Sequence, residues 1–166
     1  MWFVMREVGL DLLDASEQRY VTTRDVAASR MDVWATFADP TTWSAWWPGV
    51  SEASYRQQGI PFGLGTMRRA TVSGQRYEET MLAWDEGRRF AYRIDRATLP
   101  LAHAQVECTE FEDRPGGGTR VRWTLAVDPR LMMRVAAPFF PGIIDRLFIR
   151  AMDGLDAYVA AHASGR

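Results

Sequence analysis

Two adjacent glutamates, Glu78 and Glu79, offer the clearest acid–base chemistry in the sequence. They lie in a run, 77–84, that is predicted to be a β-strand, so their side chains point to opposite faces of the sheet. A carboxylate that is buried against a core must be paired or protonated, and either state makes it a binding or acid–base group. Arg68 is a candidate partner. The pattern leaves open which glutamate points inward, and the alternative is that the candidate glutamate lies on the solvated face.

The remaining candidates for chemistry are few. His103 is the one candidate for an imidazole base, although its place at the start of a predicted strand favours a solvated position. Cys108 shares the parity of Val106 and is predicted to be a small buried hydrophobic residue. One cysteine and two histidines do not supply the ligands of a conventional structural zinc site. The turn Gly63-Leu64-Gly65 opens no predicted helix, so it is not a dinucleotide site. No metal and no cofactor is expected.

The composition limits the class of protein. The 166 residues, of which 47% are hydrophobic, suffice for one domain with a substantial core. A net charge of −1 gives no general attraction to nucleic acid or to anionic membranes. The N-terminal residues lack the pattern of a secretory signal, and no segment approaches the roughly 20 apolar residues of a membrane-spanning helix. A single cysteine excludes an internal disulfide, so a cytoplasmic location is expected.

Alternating residues predict an antiparallel sheet over most of the chain. The first strand covers 20–27, and two short helices follow at 31–38 and 41–47, with Ser29 as the N-cap of the first. Six further strands are predicted at 50–57, 66–73, 77–84, 89–96, 103–111 and 119–127. Short turns join several of them, which is typical of an antiparallel meander with one solvated face.

The last stretch, 141–162, has the period of an amphipathic helix. Its apolar face consists of Ile144, Leu147, Phe148, Ala151, Met152, Leu155, Tyr158 and Val159. A helix this long and one-sided needs an apolar partner surface, which the sheet can supply. At the other end of the chain, residues 1–19 are predicted to form an extension that packs on the body, and an interaction arm is the alternative.

Three motifs resemble segments of the START-like helix-grip proteins, the SRPBCC superfamily that includes the polyketide cyclase/dehydrase and lipid-transport group. They are DPTTWSAWWPG at 39–49, LAWDEGRRFAY at 82–92 and GGTRVRWT at 117–124. The resemblance implies an α+β helix-grip fold, in which a curved seven-stranded antiparallel β-sheet wraps around a long C-terminal α-helix. Two short helices lie between strands 1 and 2 of that fold. A single START-like domain is therefore expected over 20–163, with 1–19 outside it.

In this family a mostly apolar cavity lies between the sheet and the helix. The resemblance implies ligand-binding residues at Trp43, Trp46, Tyr77, Glu79, Met81, Phe90, Tyr92, Ile94, Val106, Cys108, Trp123, Ile144, Phe148 and Met152. Trp43, Trp46 and the loop 59–65 would form the rim, and Val121 and Leu125 would add to the wall. The alternative is that these side chains fill a solid core. No catalytic residue is assigned.

Three functions are compatible with these features. The leading hypothesis is the binding of a hydrophobic small molecule, such as a lipid or a polyketide-like ring compound. The second is an aromatase/cyclase-type enzyme, which needs at least two polar side chains that converge inside the cavity. The third is an interaction protein with a vestigial pocket, which predicts a collapsed cavity and an exposed apolar patch. The expected partner is a hydrophobic ligand, without nucleic acid or stable membrane insertion, and the oligomeric state stays open.

Overall fold

An antiparallel sheet and a long C-terminal helix dominate the computed structural model, which describes residues 1–57, 62–139 and 142–163. The strands are β1 (Phe3–Val4), β2 (Gln18–Val26), β3 (Val50–Tyr55), β4 (Met67–Val72), β5 (Gln75–Asp85), β6 (Arg89–Ala97), β7 (Ala102–Asp113) and β8 (Thr119–Pro129). The helices are α1 (Leu12–Ala15), α2 (Arg30–Ala38), α3 (Trp43–Trp46), α4 (Leu131–Ala136) and α5 (Ile143–Ala163), with short 3-10 turns at Pro40–Thr42 and Ala137–Phe139.

The seven long strands lie in the order β2-β8-β7-β6-β5-β4-β3, and every neighbouring pair is antiparallel. Helices α2 and α3 connect β2 with β3, and α5 packs against the sheet and both of these helices. The helix-grip prediction is therefore confirmed. None of the helices within the described ranges is long and apolar enough to cross a membrane.

Helix α5 covers the sheet with the face that the sequence predicts. Ala151, Met152, Leu155 and Val159 are buried in the main core cluster at helical spacing. On the opposite side, Asp153 pairs with Arg24 of β2 at 2.6 Å, which ties the helix to the edge strand. The hydrophobic burial supplies most of the packing energy, because an exposed pair of this kind contributes less than about 1 kcal/mol.

The N-terminal residues fill a gap in the sheet. Strands β6 and β7 pair only from Arg89 to Arg93, and beyond that point they diverge. Strand β1, which the sequence does not predict, pairs with β6 in this gap, and the next residues bond to both strands through Met5 N to Asp95 O and Arg6 N to His103 O. Leu12 then packs on the outer face of the sheet. The centre of the sheet is therefore buried on both faces.

Gly154 allows α5 to approach α3 closely. A Cβ atom at this position would overlap the carbonyl oxygen of Trp46, which belongs to the backbone and cannot rotate away. The small side chain therefore sets the distance between the two helices, and with it the depth at which the tryptophans of α3 enter the core.

We expect Gly154→Ala to destabilise the protein by about 1–3 kcal/mol, because the overlap forces the two helices apart. The same change in an open helix stabilises by about 0.5–1 kcal/mol, so the sign of the effect is informative. Urea denaturation measures it, and Ala157→Gly at an exposed position of α5 provides the propensity control. A Gly154→Ala protein as stable as the wild type would contradict the close approach.

Candidate functional site

A cavity of about 150 Å³ lies between the sheet and the first turns of α5. Strands β4 to β8 form its floor, while α3, the turn after it and α5 form its roof. Its lining consists of Trp43, Trp47, Pro48, Ala70, Val72, Ser73, Tyr77, Glu79, Tyr92, Ile94, Gln105, Glu107, Leu125, Ile144, Leu147 and Phe148. Most of these side chains are apolar or aromatic, and the polar ones come from β5 and β7.

The structure brings half of the predicted site residues to this cavity. They are Trp43, Tyr77, Glu79, Tyr92, Ile94, Ile144 and Phe148. The alternation of the strands and the helical period of α5 place six of them on the inner face of β5, β6 or α5, and α3 supplies Trp43. The structure also answers which glutamate points inward, since Glu79 lines the cavity and Glu78 pairs with Arg69 on the outer face.

Five other predicted residues lie in the solid core beside the cavity, which is a correction to the prediction. They are Trp46, Met81, Phe90, Trp123 and Met152, and none is more than 3% exposed. The reason is the aromatic cluster of α2 and α3: Phe37 packs against Trp46, Phe90 and Trp123 at centroid distances of 5.5–6.2 Å. These rings occupy the space that the prediction assigned to a ligand.

The predicted rim also differs from the structure. Trp43 and Trp46 are only 1% and 3% exposed, so neither borders the solvent. The indole N–H of Trp43 donates to the Phe37 carbonyl at 3.0 Å, and that of Trp46 donates to Thr42 Oγ1 at 3.0 Å, which directs both rings inward. Of the predicted rim loop 59–65, residues 59–61 lie outside the described residues.

Val106 and Cys108 are predicted in the cavity but project to the other face of the sheet. There they pack under the N-terminal extension, Val106 in a cluster with Leu12 and Cys108 beside Leu10. The prediction took the apolar parity of β7 as the inner one. It is wrong because the extension buries the outer face as well, so apolar residues occur on both faces of this strand.

The alternate positions of β7, which face the cavity, include two residues that the sequence did not predict there, Gln105 and Glu107. One signal was available, because Gln105, Glu107 and Phe111 alternate with Val106 and Cys108 along the same strand. An apolar outer face would have implied a polar inner one. Trp47 was also missed, and it packs edge-on against Trp123 at 4.7 Å. His103 is exposed, as its position predicted.

Arg68 and Glu79 form an ion pair inside the protein. They are direct cross-strand partners on β4 and β5, and Arg68 Nε donates to Glu79 Oε2 at 2.5 Å. The two residues are 0% and 4% exposed. Burial raises the pKa of the Glu79 carboxyl, and the adjacent Arg68 guanidinium opposes that shift. A guanidinium does not deprotonate in proteins, so Arg68 keeps its positive charge in the core.

Aromatic rings complete the surroundings of that charge. The Arg68 guanidinium carbon lies 4.1 Å from the Trp43 ring centroid and 4.3 Å from the Tyr92 ring centroid. Its Nη1 and Nη2 atoms are buried, and no described residue accepts a hydrogen bond from them. Cation–π attraction, about 2 kcal/mol or more per desolvated contact, replaces part of the lost hydration. The guanidinium therefore contacts two residues of the cavity wall, Trp43 and Tyr92, and helps to fix their rings in place.

Glu107 is the centre of a second polar group. Its Oε2 accepts hydrogen bonds from Tyr92 Oη at 2.6 Å and from Trp123 Nε1 at 3.1 Å, and its Oε1 accepts one from Gln105 Nε2 at 3.0 Å. Burial raises the pKa of Glu107 to about 7, although the bonds from Tyr92 and Gln105 favour the ionised form. This carboxyl therefore changes its charge near neutral pH.

The arrangement favours organic acid–base chemistry or hydrogen bonding over metal chemistry. Two carboxyl groups and a tyrosine hydroxyl meet at one side of an apolar cavity, which matches the general form of a small-molecule site. Across the described part of the chain, no group of three histidine, cysteine or acidic side chains could hold a metal ion.

For the Arg68–Glu79 pair, we expect the loss of stability to depend on which of the two residues is replaced. Glu79→Leu should destabilise by about 3–5 kcal/mol, because it leaves a buried guanidinium without its counter-ion. Arg68→Met should cost less, because Glu79 can then take up a proton, and the double variant should be more stable than Glu79→Leu alone. Urea denaturation of all four proteins measures the cycle.

The exposed pair of Arg24 and Asp153 is the control for this cycle, since Arg24→Met should cost less than about 1 kcal/mol. Strictly additive effects in the Arg68 and Glu79 variants would contradict the buried pair.

Glu107 gives a pH prediction. Its folded-state pKa of about 7 lies above the ordinary value of 4.5, so the native state binds the proton more tightly. Stability from this group is fully present below about pH 4.5 and is lost as the pH rises through about 7, for a total of about 3 kcal/mol. Glu107→Gln, which keeps an acceptor for Tyr92 and Trp123, should therefore gain stability relative to the wild type across this window. Urea denaturation at several pH values measures the difference in unfolding free energy between the two proteins. A difference that is the same at every pH would rule out the raised pKa of Glu107.

Comparison with known proteins gives one family and several similar folds. Residues 17–160 match the family described as polyketide cyclase / dehydrase and lipid transport. Uncharacterised proteins of Mycobacterium tuberculosis and Mycobacterium bovis are 26% identical over 137 residues, which cover 82% of this chain and 77% of theirs.

Two solved structures share the fold. The Zhui aromatase/cyclase from Streptomyces sp. R1128 has a TM-score of 0.72 and 16% identity, over 88% of this chain and 95% of that one. A START superfamily protein from Mycobacterium smegmatis has a TM-score of 0.69 and 15% identity, over 86% of this chain and 97% of that one. Because the family match spans most of the chain, the chain belongs to the polyketide cyclase/dehydrase and lipid-transport family.

Proposed function

We propose that this protein binds a hydrophobic small molecule in the cavity between its sheet and α5. The observation that carries the proposal is the lining: aromatic and aliphatic side chains form most of the wall, and a few polar groups lie together on one side. Apolar walls contribute affinity by removing ligand surface from water, and clustered polar groups set the orientation. Membership of a family whose description includes lipid transport supports the same conclusion.

A groove next to the cavity offers an entrance. It has a volume of about 330 Å³ and is lined by Tyr20, Leu101, Met133, Ala136, Ala137, Gly142, Ile143 and Ile144. Ile144 belongs to both spaces, so its side chain lies between the groove and the inner cavity. The combined volume of the cavity and the groove lies within the range of ordinary ligand sites.

An aromatase/cyclase-type reaction is the second candidate, and the convergence of polar groups favours it. Glu79 and Glu107 both line the cavity, and Tyr92 Oη is 2.6 Å from Glu107 Oε2. A carboxyl whose pKa lies near neutral pH can accept a proton from carbon and return it to oxygen, as a cyclisation requires. The volume of about 150 Å³ argues against it, because a folded poly-keto chain needs more space.

The third hypothesis, an interaction protein, has one supporting feature. Leu131, Val135 and Phe139 follow one face of α4 and the turn after it, with exposed fractions of 75%, 59% and 76%. The same hypothesis predicts a collapsed cavity, whereas an open one lies between the sheet and α5. Ligand binding agrees with the cavity, and the exposed residues belong to the same segment as the groove residues Met133 and Ala136.

The proposal is tested by binding of neutral aromatic compounds of increasing size: p-xylene, naphthalene and phenanthrene. Trp43 and Trp47 line the cavity, so a bound ligand should change the intrinsic tryptophan fluorescence. Ala70→Leu places a larger side chain in the cavity and should weaken binding at least about tenfold, because the remaining volume no longer holds a ring. Thr71→Leu, at the next position of β4, is the matched control and should bind normally.

Native mass spectrometry of the purified protein, followed by organic extraction, identifies any compound that co-purifies. Incubation of that compound with the protein separates the two leading functions, since a cyclase changes its mass or its absorption spectrum and a binding protein does not. If no compound binds the wild type, or if binding is the same in Ala70→Leu, the proposed function is wrong.

A further inference from the structure

The polar side of the cavity presents hydrogen-bond acceptors. Glu79 accepts from Arg68 through Oε2, and no donor to its Oε1 is found among the described residues. Glu107 accepts three hydrogen bonds, while an ionised carboxylate offers about four acceptor positions. The nearby donors, Tyr92 Oη, Trp123 Nε1 and Gln105 Nε2, are all used by Glu107 itself. The unpaired Nη1 and Nη2 atoms of Arg68 do not line the cavity. A ligand group beside Glu107 would therefore meet spare acceptors.

The volume limits the size of the ligand. A cavity of about 150 Å³ is the size that holds benzene in an engineered protein core. The walls have matching shape and chemistry, because the Trp43, Trp47, Tyr92 and Phe148 rings surround the space. Offset and edge-to-face contacts with such rings favour an aromatic ligand over an aliphatic one of equal volume.

The charges exclude an acidic ligand. Glu79 and Glu107 face the cavity, and Arg68 is the one cation among the described residues that interacts with them. Arg68 is 0% exposed and is already paired with Glu79. A ligand carboxylate would lie beside two buried carboxyl groups without a free counter-ion, which is strongly unfavourable. A hydroxyl group has no such conflict. It donates to the Glu107 carboxylate and can also accept from the protonated form.

We propose that the inner cavity selects a neutral compound with one aromatic ring and a hydroxyl group, that is, a simple phenol. Its ring lies among Trp43, Tyr92 and Phe148, and its hydroxyl donates a hydrogen bond to Glu107. This inference rests on the proposed function and narrows it, because lipids and poly-keto chains are larger than the inner cavity. The selectivity comes from the buried acceptor, since a site built to bond a hydroxyl discriminates against analogues that lack one.

Isothermal titration of the wild-type protein with four para-substituted toluenes tests this directly. They are p-cresol, p-xylene, 4-methylanisole and p-toluate, which share a ring and a methyl group. We expect p-cresol to bind about tenfold or more tighter than p-xylene, which has no hydrogen-bonding group, and than 4-methylanisole, which has only an acceptor. The anionic p-toluate should not bind at a measurable level. This comparison needs no variant, so it does not depend on the folding of one.

Glu107→Leu then locates the selecting group. It should reduce the preference for p-cresol over p-xylene to less than about threefold while p-xylene still binds. Glu78→Leu is the matched control. It also removes a carboxylate, but one on the outer face of β5, so the preference should stay unchanged. A preference that persists in Glu107→Leu would overturn the assignment of the hydroxyl to this residue.

The outcomes separate this inference from the proposed function. If p-xylene and p-cresol bind the wild type equally, the ligand class is wrong and hydrophobic binding stands. If phenanthrene binds and the single-ring compounds do not, the size limit is wrong and hydrophobic binding again stands. If none of the compounds binds, the proposed function itself fails.

Discussion

The interior of this protein depends on one cross-strand pairing, that of Arg68 with Glu79. The two-residue turn at Ser73 and Gly74, both with positive φ, closes the β4–β5 hairpin and fixes the register that brings these residues opposite each other. The adjacent pair, Arg69 with Glu78, lies on the outer face. A slip by one residue would exchange the faces and bury the outer pair. The hairpin register therefore decides which charge enters the core.

A buried guanidinium in turn constrains the elements above it. Arg68 is fully buried, so the Trp43 and Tyr92 rings have to cover it at about van der Waals distance. Trp43 reaches that place because α3 sits low over the sheet, and α3 can do so because Gly154 of α5 has no side chain to separate the helices. The charge, the ring and the glycine belong to three separate segments, and each has its position only if the other two are present.

The sequence predicted the fold well because the fold depends on periodicity, which is local. Strand alternation and the helical face of α5 predicted an inward position for Tyr92, Ile94 and Phe148, and all three line the cavity. Errors arose where distant segments decide the environment. The N-terminal extension buries the outer face of β7, so the apolar parity of Val106 no longer identifies the inner face. Likewise, no local pattern shows that Phe37 and the tryptophans fill the interior beside Trp123.

The two structural features that the prediction overlooked, the N-terminal extension and the aromatic cluster around Phe37, also explain why the cavity is small and why it is polar on one side. Rings from α2 and α3 fill the space near Phe90, and the cavity lies below the start of α5. Because the extension covers the outer parity of β7, the inner parity carries Gln105 and Glu107 into that room. In a solid core, a buried carboxyl such as Glu107, whose pKa lies near neutral pH, would only lower stability through its desolvation. Such a group beside an apolar cavity is best explained by a ligand that uses it.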